Sequence, residues 1–386
     1  MRKETVVLTN FYGALGGGEI ALLAHARWLR NSGIGVDVLL FRDGQLRVEL
    51  ENLGCRVWVL PHRLDYGLRG AVCATAWISP GIGNLLRRVA PRYAIVYTLQ
   101  EMPFVAMAGK LAGVPVFYRD QGQPCDLADS SNWRARLYRP VAQHLLKGVL
   151  PTTKAEADAV IRMGLARDRV ECVYLGGDTS RFKPLDGTRI SVFAELGLPQ
   201  SCRVIGIFGR LTEVKGHRLL FNAVARGGFS DVHVLVVGGG QLAADDGRSY
   251  RASLDMYVGK LGIRGRVTFT GFRSDVPRLM NACDVIVNAS RWEPFGLVLV
   301  EAMLCGKPIV APGVSGPNEI VLDGETGYLF TPNDAGELAS WLGVLLGDER
   351  LRMQLGRAGR ERALKLFDMT KNLTRLHERI RQWLGG

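Results

Sequence analysis

Short runs of β-branched and other apolar residues alternate with longer amphipathic stretches, and this alternation limits the folds open to the chain. Such a pattern is typical of parallel sheets whose two faces are covered by helices. A polar stretch marked by Pro and Gly, residues 176–199, interrupts the alternation, which then begins again. The sequence therefore predicts an α/β protein of two doubly wound domains of similar size, with a linker near Lys183 and Pro184.

The predicted elements fall into two sets. Strands are predicted over residues 6–9, 36–41, 57–60, 95–98, 115–118 and 170–175, and then over residues 204–208, 233–237, 267–270, 285–288 and 308–311. Predicted helices include residues 18–32, 154–163, 217–225, 241–261, 296–305 and the strand-free tail 348–384. Because open α/β sheets bind ligands outside the carboxyl ends of their strands, two facing domains would enclose a cleft.

The composition is that of an ordinary globular protein. Hydrophobic residues make up 47% of the 386 residues, and this length suits two domains, or three. The seven Cys residues are scattered without a C-x-x-C pair, which argues against a disulfide framework or structural zinc and fits a reducing cytosol. The first apolar run is too short for a signal peptide, and no stretch approaches the ~18–20 apolar residues of a membrane span. We therefore expect a cytoplasmic protein.

An excess of basic residues, 49 Lys and Arg against 37 Asp and Glu, gives the chain a formal charge of +12. The net charge is +6 over residues 1–180, −1 over residues 181–349 and +7 over residues 350–386. Such a charge favours nucleic acid, an anionic membrane or an anionic substrate as a partner, or it serves solubility alone. The tryptophans are dispersed rather than interleaved with basic residues on one module, which argues against nucleic acid.

Two glycine triplets formally satisfy the dinucleotide pattern G-x-G-x-x-G/A, but the pattern is a weak signal. Residues 10–15 separate the first triplet from its strand, and the acids after residues 238–240 lie too close to bind a ribose. We interpret residues 238–240 as a tight strand-to-helix turn. We favour a binding role for Gly16, Gly17 and Gly18, since glycines at a helix start expose backbone N–H groups to an anion or a sugar hydroxyl.

Two cations follow the predicted strand that ends at Phe208. Arg210 and Lys215 lie in a loop bracketed by glycines at the carboxyl end of this strand. Arg can bind two phosphate oxygens at once and Lys supplies a point charge, so the pair suits a diphosphate. Taken alone, a pair of solvated loop cations is an equally good interpretation.

A second constellation surrounds the helix predicted to begin near Gly296. That helix is apolar on every side except at Glu301, and a carboxylate in such a place costs several kcal/mol unless it has a partner. Glu293 precedes the helix and fits either a capping box with Ser290 or, if the helix starts after it, a carboxylate at the cleft. The N–H groups of Gly296 and Leu297 would then be unpaired and available to a phosphate or sugar oxygen.

The spacing Glu293-x7-Glu301 with the downstream segment 306–311 resembles the signature of the large retaining GT-B glycosyltransferases, family 4. The resemblance covers nearly the whole chain, and the order and spacing of its segments make it specific. The segments that resemble the family are residues 16–18, 153–157, 176–184, 284–290 and 323–330.

The resemblance implies the GT-B fold, in which two Rossmann-like domains face each other across a cleft and a C-terminal helix crosses back to the first. Residues 1–180 would bind the acceptor, residues 181–365 the nucleotide-sugar donor, and residues 366–386 would form the returning helix. A basic acceptor domain would suit an anionic lipid surface, a lipid diphosphate or an acidic glycan.

The resemblance also implies roles for individual residues. Arg210 and Lys215 would hold the donor diphosphate and stabilise the leaving group, and Glu293 would bind the donor sugar. The donor-binding set also includes Glu301 at the ribose, Phe272 and Arg273 at the nucleobase, the N–H groups at Phe295, Gly296 and Leu297, and the triplet Gly16, Gly17 and Gly18. Gln121 stands where many members have His, so Asp120 or Gln121 would bond an acceptor hydroxyl.

These features predict retaining, metal-independent transfer of a sugar from a UDP- or GDP-linked donor to a glycan or lipid-linked acceptor in envelope or polysaccharide biosynthesis. No Asp-x-Asp motif calls for a divalent ion, and no cofactor is expected. Cytoplasmic residence, with contact at the inner face of the membrane, would accompany such a role. A nucleotide-sugar epimerase or a phosphorylase of the same fold is the alternative, and a basic nucleic-acid-binding protein is a more distant one.

Overall fold

The structure, a computed structural model, describes residues 4–60, 68–119, 133–240 and 248–385, with backbone alone for residues 68–77, 133–137 and 248. The chain divides into two compact units. Unit 1 comprises Met1–Tyr174 and Thr370–Gly386, and unit 2 comprises Leu175–Met369. Among the described residues, no helix is long and apolar enough to cross a membrane.

Unit 1 is built on a six-stranded sheet with the strand order β3-β2-β1-β4-β5-β6, in which every pairing is parallel. Its elements are β1 (Thr5–Asn10), α1 (Gly17–Asn31), β2 (Gly35–Leu40), α2 (Gln45–Asn52), β3 (Arg56–Val59), α3 (Leu68–Val89), β4 (Tyr93–Val96), α4 (Met102–Ala112), β5 (Val116–Tyr118), α5 (Trp133–His144), β6 (Gly148–Val149) and α6 (Lys154–Arg162).

Unit 2 is built on a second parallel sheet, with the strand order β12-β11-β10-β7-β8-β9. Its elements are α7 (Thr188–Leu196), β7 (Arg203–Phe208), α8 (His217–Arg226), β8 (Val232–Val237), α9 (Arg248–Lys260), β9 (Val267–Gly271), α10 (Val276–Ala282), β10 (Val285–Val287), α11 (Leu297–Leu304), β11 (Ile309–Pro312), α12 (Ser315–Ile320), β12 (Tyr328–Phe330), α13 (Ala335–Gly347) and α14 (Glu349–Leu366). The last helix of the chain is α15 (Met369–Leu384).

Both sheets have the same topology. Counted from the start of its own unit, each sheet runs 3-2-1-4-5-6, and its order reverses beside the first strand. This is the doubly wound arrangement of the Rossmann fold, and it confirms the predicted fold class. Ligands of such sheets bind where the order reverses, which is between β1 and β4 in unit 1 and between β7 and β10 in unit 2.

The strands are buried because helices cover both faces of each sheet. Every residue of β4 and of β10 is buried, and their sequences are correspondingly continuous apolar runs. In α11 the side chains of Leu299, Val300 and Met303 are fully buried. Truncating one of them to Ala would cost roughly 2–5 kcal/mol, so the packing fixes this helix firmly against the sheet.

One predicted strand, residues 170–175, is wrong. The segment forms an isolated bridge from Val170 to Val149 and no strand, and β6 at this edge of the sheet is just two residues long. The N–H groups of Glu171 and Val173 donate to carbonyls of residues 149 and 151, at 3.1 and 3.0 Å. The carbonyls of Val173 and Tyr174 instead accept hydrogen bonds from the buried guanidinium of Arg119, at 2.6 and 3.3 Å. The N–H groups of this segment thus bond the neighbouring stretch of the chain, while a cation takes two of its carbonyls.

Two predicted helices differ most from their predicted extent. The helix predicted over residues 241–261 is observed from Arg248 as α9, and residues 241–247 lie outside the described part of the chain. The tail is two helices rather than one, because the chain turns between α14 and α15. At this turn the carbonyl of Phe367 accepts a hydrogen bond from the N–H of Gly177, at 2.9 Å.

The returning C-terminal helix is confirmed. Leu376 and Ile380 of α15 are fully buried in the core of unit 1, where Leu22 and Phe117 also lie.

The net charge of the two units differs from that of the three sequence segments, because α14, which lies in the basic segment 350–386, belongs to unit 2. Unit 1 carries 26 basic and 16 acidic residues, a net charge of +10, and unit 2 carries 23 and 21, a net charge of +2.

Candidate active site

The loops that follow β7 and β10 carry Arg210, Lys215 and Glu293, and the two strands are neighbours in the sheet. The loops also contact each other directly. The N–H of Arg291 donates to the carbonyl of Val214, at 2.9 Å. Gly216 has a φ of 68° and lies so close to Ala289 that an added Cβ would fall 1.9 Å from its carbonyl oxygen. Glycine is therefore required there, and the two loops form one rigid surface at the point where the strand order reverses.

An ion pair joins the two loops. Lys215 Nζ lies 2.7 Å from Glu293 Oε2, and Glu293 is buried while Lys215 keeps a quarter of its side chain exposed. The same carboxylate oxygen accepts hydrogen bonds from Asn288 Nδ2 and Ser290 Oγ, both at 3.1 Å. Ser290 thus bonds the carboxylate itself and caps no helix, since α11 begins only at Leu297. The capping-box alternative is therefore wrong.

Arg210 lies two residues after the end of β7 and is exposed. Its guanidinium makes no hydrogen bond or ion pair with any residue that the structure describes. The adjacent Gly238 explains the shape of this loop, because a Cβ there would lie 1.8 Å from the carbonyl oxygen of Gly209. Gly238 thus has a structural role in packing the two loops, whereas the predicted strand-to-helix turn runs into residues 241–247, outside the described part of the chain. Arg210 remains available to an anion.

The N-terminus of α11 lies beside the Lys215–Glu293 pair. Gly296, with a φ of 99°, precedes the helix, and no side chain caps its first turn. The N–H groups at the start of a helix have no partner within it, so those of Leu297 and Val298 form a positive end. A Cβ added to Gly296 would lie 3.3 Å from Glu293 Cγ, which places this positive end next to the carboxylate. Phe295 is buried, and its ring packs edge-on against Phe367.

Glu301 lies one turn further along α11 and is partly buried. Desolvation raises the pKa of its carboxyl to about 8, and the nearby Arg181 guanidinium opposes the shift. No donor among the described residues hydrogen-bonds to its side chain. A buried polar group without a partner is costly, so Glu301 is suited to binding a hydroxyl that a ligand would bring.

Phe272 and Arg273 follow β9 and differ in what they offer. Phe272 is 74% exposed, which is unusual for a large aromatic side chain. A Cβ added to Gly239 would lie 3.6 Å from the Cβ of Phe272. The Arg273 side chain is already engaged in ion pairs with Asp275 and Glu195, at 2.7 and 2.6 Å. These carboxylates raise the pKa of the guanidinium. What Arg273 can offer to a ligand is its backbone.

The remaining predicted residues belong to unit 1. Gly16 precedes α1, and Gly17 and Gly18 begin it, with no side-chain cap on the first turn. A Cβ added to Gly17 would meet nothing within 4 Å, so space is open there. Asp120 and Gln121, predicted for the acceptor, lie outside the described residues.

The sequence predicted no role for Asn288 and only a capping role for Ser290, although both bond Glu293. The available signal was their position directly after a fully buried strand, where polar side chains reach the carboxyl edge of the sheet. Glu101 was also missed. It is buried between β1 and β4, accepts hydrogen bonds from the Thr98 N–H at 3.0 Å and from Thr9 Oγ1 at 3.3 Å, and has its pKa raised to about 7 by desolvation.

Comparison with known proteins places these features in a family. A family model described as a glycosyl transferase 4-like domain matches residues 16–176, and one described as glycosyl transferases group 1 matches residues 189–362. The D-inositol 3-phosphate glycosyltransferase of Nocardia farcinica is 31% identical over 287 residues, 72% of this chain and 58% of that protein. The protein of that name from Mycobacterium sp. strain KMS is 36% identical over 204 residues, 51% of this chain and 44% of that protein. The chain thus spans about half the length of these curated relatives.

Solved structures match over the full length. The crystal structure of Anabaena HepE in complex with UDP and glucose superposes with a TM-score of 0.84 at 27% identity, covering 97% of this chain and 99% of that one. Sucrose-phosphate synthase from Thermosynechococcus elongatus superposes with a TM-score of 0.82 at 22% identity, covering 99% of each chain, and so shares the fold. The architecture is that of a GT-B protein. The chain belongs to the GT-B glycosyltransferases of the family 4 type.

Proposed function

We propose that the protein is a glycosyltransferase that transfers a sugar from a nucleotide diphosphate sugar to an acceptor, with retention of configuration at the anomeric carbon. The observation that carries the proposal is the Lys215–Glu293 pair at the reversal point of the unit 2 sheet. A cation and a carboxylate held there can bind the two halves of such a donor, the diphosphate and the sugar. The family supports the same chemistry.

Breaking the bond between a sugar and a diphosphate leaves negative charge on the diphosphate. Fixed cations and N–H dipoles stabilise developing charge without having to reorganise. Arg210, Lys215 and the N-terminus of α11 would supply this positive charge, which makes metal-independent transfer the simpler mechanism. Among the described residues, no group of three or more His, Cys, Asp and Glu side chains could hold a metal ion.

The other unit 2 residues would bind the nucleoside. Glu301 would accept hydrogen bonds from the ribose hydroxyls, which explains an otherwise costly carboxylate. Phe272 and the Arg273 backbone would contact the base, and Phe295, Gly296 and Leu297 would present backbone N–H groups to the phosphates. Gly16, Gly17 and Gly18 would bind the donor from unit 1 through the open first turn of α1.

UDP-sugars are the first donors to test, because HepE was solved with UDP-glucose. For the acceptor, unit 1 with its net charge of +10 favours an anionic molecule. Relatives named for inositol 3-phosphate point to the same chemistry. We propose a phosphate-bearing glycan or lipid-linked acceptor, bound at the membrane face by unit 1 and used in envelope or polysaccharide synthesis, with Asp120 or Gln121 bonding its hydroxyl.

A donor panel tests the proposal. Purified protein is incubated with UDP-, GDP- and ADP-sugars, with and without phosphorylated polyols and lipid diphosphates, in buffer containing EDTA. We expect nucleotide release with at least one UDP-sugar and a product whose anomeric configuration, read by NMR, matches the donor. Absence of both transfer and hydrolysis across the panel would refute the function. Conversion of the donor to an isomer without any acceptor would instead identify an epimerase.

Membrane contact needs a separate test. Sedimentation with liposomes should show more protein on vesicles of anionic lipid than on neutral ones, with the difference lost in high salt. Equal sedimentation with both lipids would remove the membrane part of the proposal and leave the chemistry intact.

A further inference from the structure

Glu293 is held through one of its two oxygens. Oε2 accepts three hydrogen bonds, from Lys215 Nζ at 2.7 Å, Asn288 Nδ2 at 3.1 Å and Ser290 Oγ at 3.1 Å. For Oε1 no partner occurs among the residues that the structure describes. A buried carboxylate is normally bonded through both oxygens, so an asymmetry this complete leaves one oxygen ready for a ligand.

Asn288 is central to this arrangement. Its Oδ1 accepts the N–H of Ser290 at 2.8 Å, while its Nδ2 donates to Glu293. Asn288 therefore holds in place both the carboxylate of Glu293 and the segment that carries Ser290, the second side-chain donor to that carboxylate. It also follows β10 immediately and donates its own N–H to the carbonyl of Val310 in the adjacent strand β11, at 3.0 Å. Asn288 is 7% exposed, and the sheet holds its backbone through this bond.

We infer that Asn288 and Ser290 are positioning residues of the transfer reaction: with Lys215 they fix Glu293 Oε2, and thereby aim Oε1 at a hydroxyl of the donor sugar. The inference rests on the proposed function and adds two residues to it. A hydrogen bond from a sugar hydroxyl to a carboxylate strengthens as positive charge develops on the ring, so its geometry matters most in the transition state. Loss of the positioning should therefore lower kcat more than it raises the KM for the donor.

The substitution Asn288→Asp tests this sharply. Asp keeps the size of the side chain and the acceptor for the Ser290 N–H. It replaces the donor by a second carboxylate about 3 Å from Glu293, and two carboxylates that close share a proton. Lys215 is the charged group paired with Glu293, and its single charge would face two negative ones. We expect kcat to fall, and the acid limb of the kcat profile to move up by about one pH unit or more.

Asn281→Asp is the matched control. Asn281 is 9% exposed, lies in the same unit, and donates through its amide to the carbonyls of Lys183 and Pro277. This control also buries a carboxylate but touches no proposed site residue, so it should lower the thermal midpoint without moving the pH profile.

A second pair of variants, at Ser290, avoids adding charge. Ser290→Ala should lower kcat about tenfold with the donor KM changed by less than about twofold, and Ser290→Thr, which keeps the hydroxyl, should restore most of it.

The outcomes separate the two proposals. If the unmodified protein releases no nucleotide from any donor, the proposed function fails and this inference falls with it. If the unmodified protein is active but Asn288→Asp leaves the pH profile and kcat within twofold, the positioning role is refuted alone. Should Asn288→Asp fail to fold, the Ser290 pair decides, and equal kcat values for Ala, Thr and Ser would overturn the inference.

Discussion

His25 Nε2 lies 2.6 Å from His377 Nε2, and this contact joins α1 to α15 in the interior of unit 1. His377 Nδ1 is 2.6 Å from the Tyr93 hydroxyl, and His25 Nδ1 contacts the Tyr97 hydroxyl. Two neutral rings satisfy all three contacts, whichever ring donates to the other. Protonation of one ring can be accommodated, but protonation of both would place the two Nε2–H groups against each other.

Unit 1 should therefore lose stability in mild acid. Burial depresses the pKa of both rings, that of His377 to about 3, with Arg381 and Arg119 adding to the shift. Because both folded values lie below the ordinary 6.5, the unfolded chain binds more protons, and stability falls as the pH drops below 6.5. We expect the thermal midpoint to fall by roughly 5–15 °C between pH 7 and pH 5. In His377→Gln this slope should shrink, whereas in the exposed His144→Gln it should persist, and equal slopes in all three proteins would contradict the account.

Lys215→Ala should remove turnover without removing the fold. One fixed donor to a developing charge contributes about 10²–10³ in kcat, and Glu293 would still be bonded by Asn288 and Ser290. We expect kcat to fall by about 10²-fold or more, with a thermal midpoint within roughly 5 °C of the parent. Steady-state kinetics and calorimetry on Lys215→Ala, Glu293→Gln and the double variant measure this. Because the two groups act as a pair, we expect the loss of kcat in the double variant to be smaller than the product of the two single losses. A loss equal to that product would show that the two groups act independently.

Glu301→Gln should stabilise the free protein and weaken nucleotide binding. Because the pKa of Glu301 is raised to about 8 in the folded protein, ionising its carboxyl destabilises the fold. This loss of stability grows as the pH rises from 4.5 towards 8. An amide avoids that cost but accepts hydroxyls less strongly. At pH 8 we expect a thermal midpoint raised by roughly 3–8 °C without ligand, and a smaller increase on adding UDP. A variant with an unchanged midpoint and an unchanged response to UDP would show that Glu301 binds no ribose.

Two glycines should respond oppositely to Ala. Gly17→Ala places a methyl group in open space at the start of α1, so the fold should be unaffected while a ligand approaching the backbone is obstructed. Gly216→Ala forces a Cβ to 1.9 Å from the Ala289 carbonyl at a φ of 68°, so the fold itself should suffer. Thermal midpoints and donor KM values compare the two. Full activity in Gly17→Ala would remove the glycine triplet from the binding site.

The long apolar strands and the glycine-bracketed loops were predictable because they depend on local pattern. The predicted and observed positions of β7, β8 and β9 agree within two residues. The edge strands β6 and β12 are two and three residues long and carry too little pattern to be seen. Residues 170–175 have a strand-like sequence, but a buried Arg119 takes the carbonyls of Val173 and Tyr174, and no local signal foretells that.

The chemistry of the site divides in the same way. Residue type and spacing identified Arg210, Lys215, Glu293 and Glu301 as candidates. The sequence could not show that Lys215 pairs with Glu293 across 78 residues, because that depends on β7 and β10 being neighbours. For the same reason Ser290 looked like a helix cap, although its hydroxyl bonds a side chain.

The order in which the chain is synthesised has a consequence for unit 1. All of unit 2 stands in the sequence between residue 174 and the helix that completes the core of unit 1. Until α15 emerges from the ribosome, the face of α1 bearing His25 and Trp28 has no cover, and the Phe117 ring lacks the Trp383 indole that stacks on it. Unit 2 can fold as soon as it is made. Unit 1, although it begins first, must finish last.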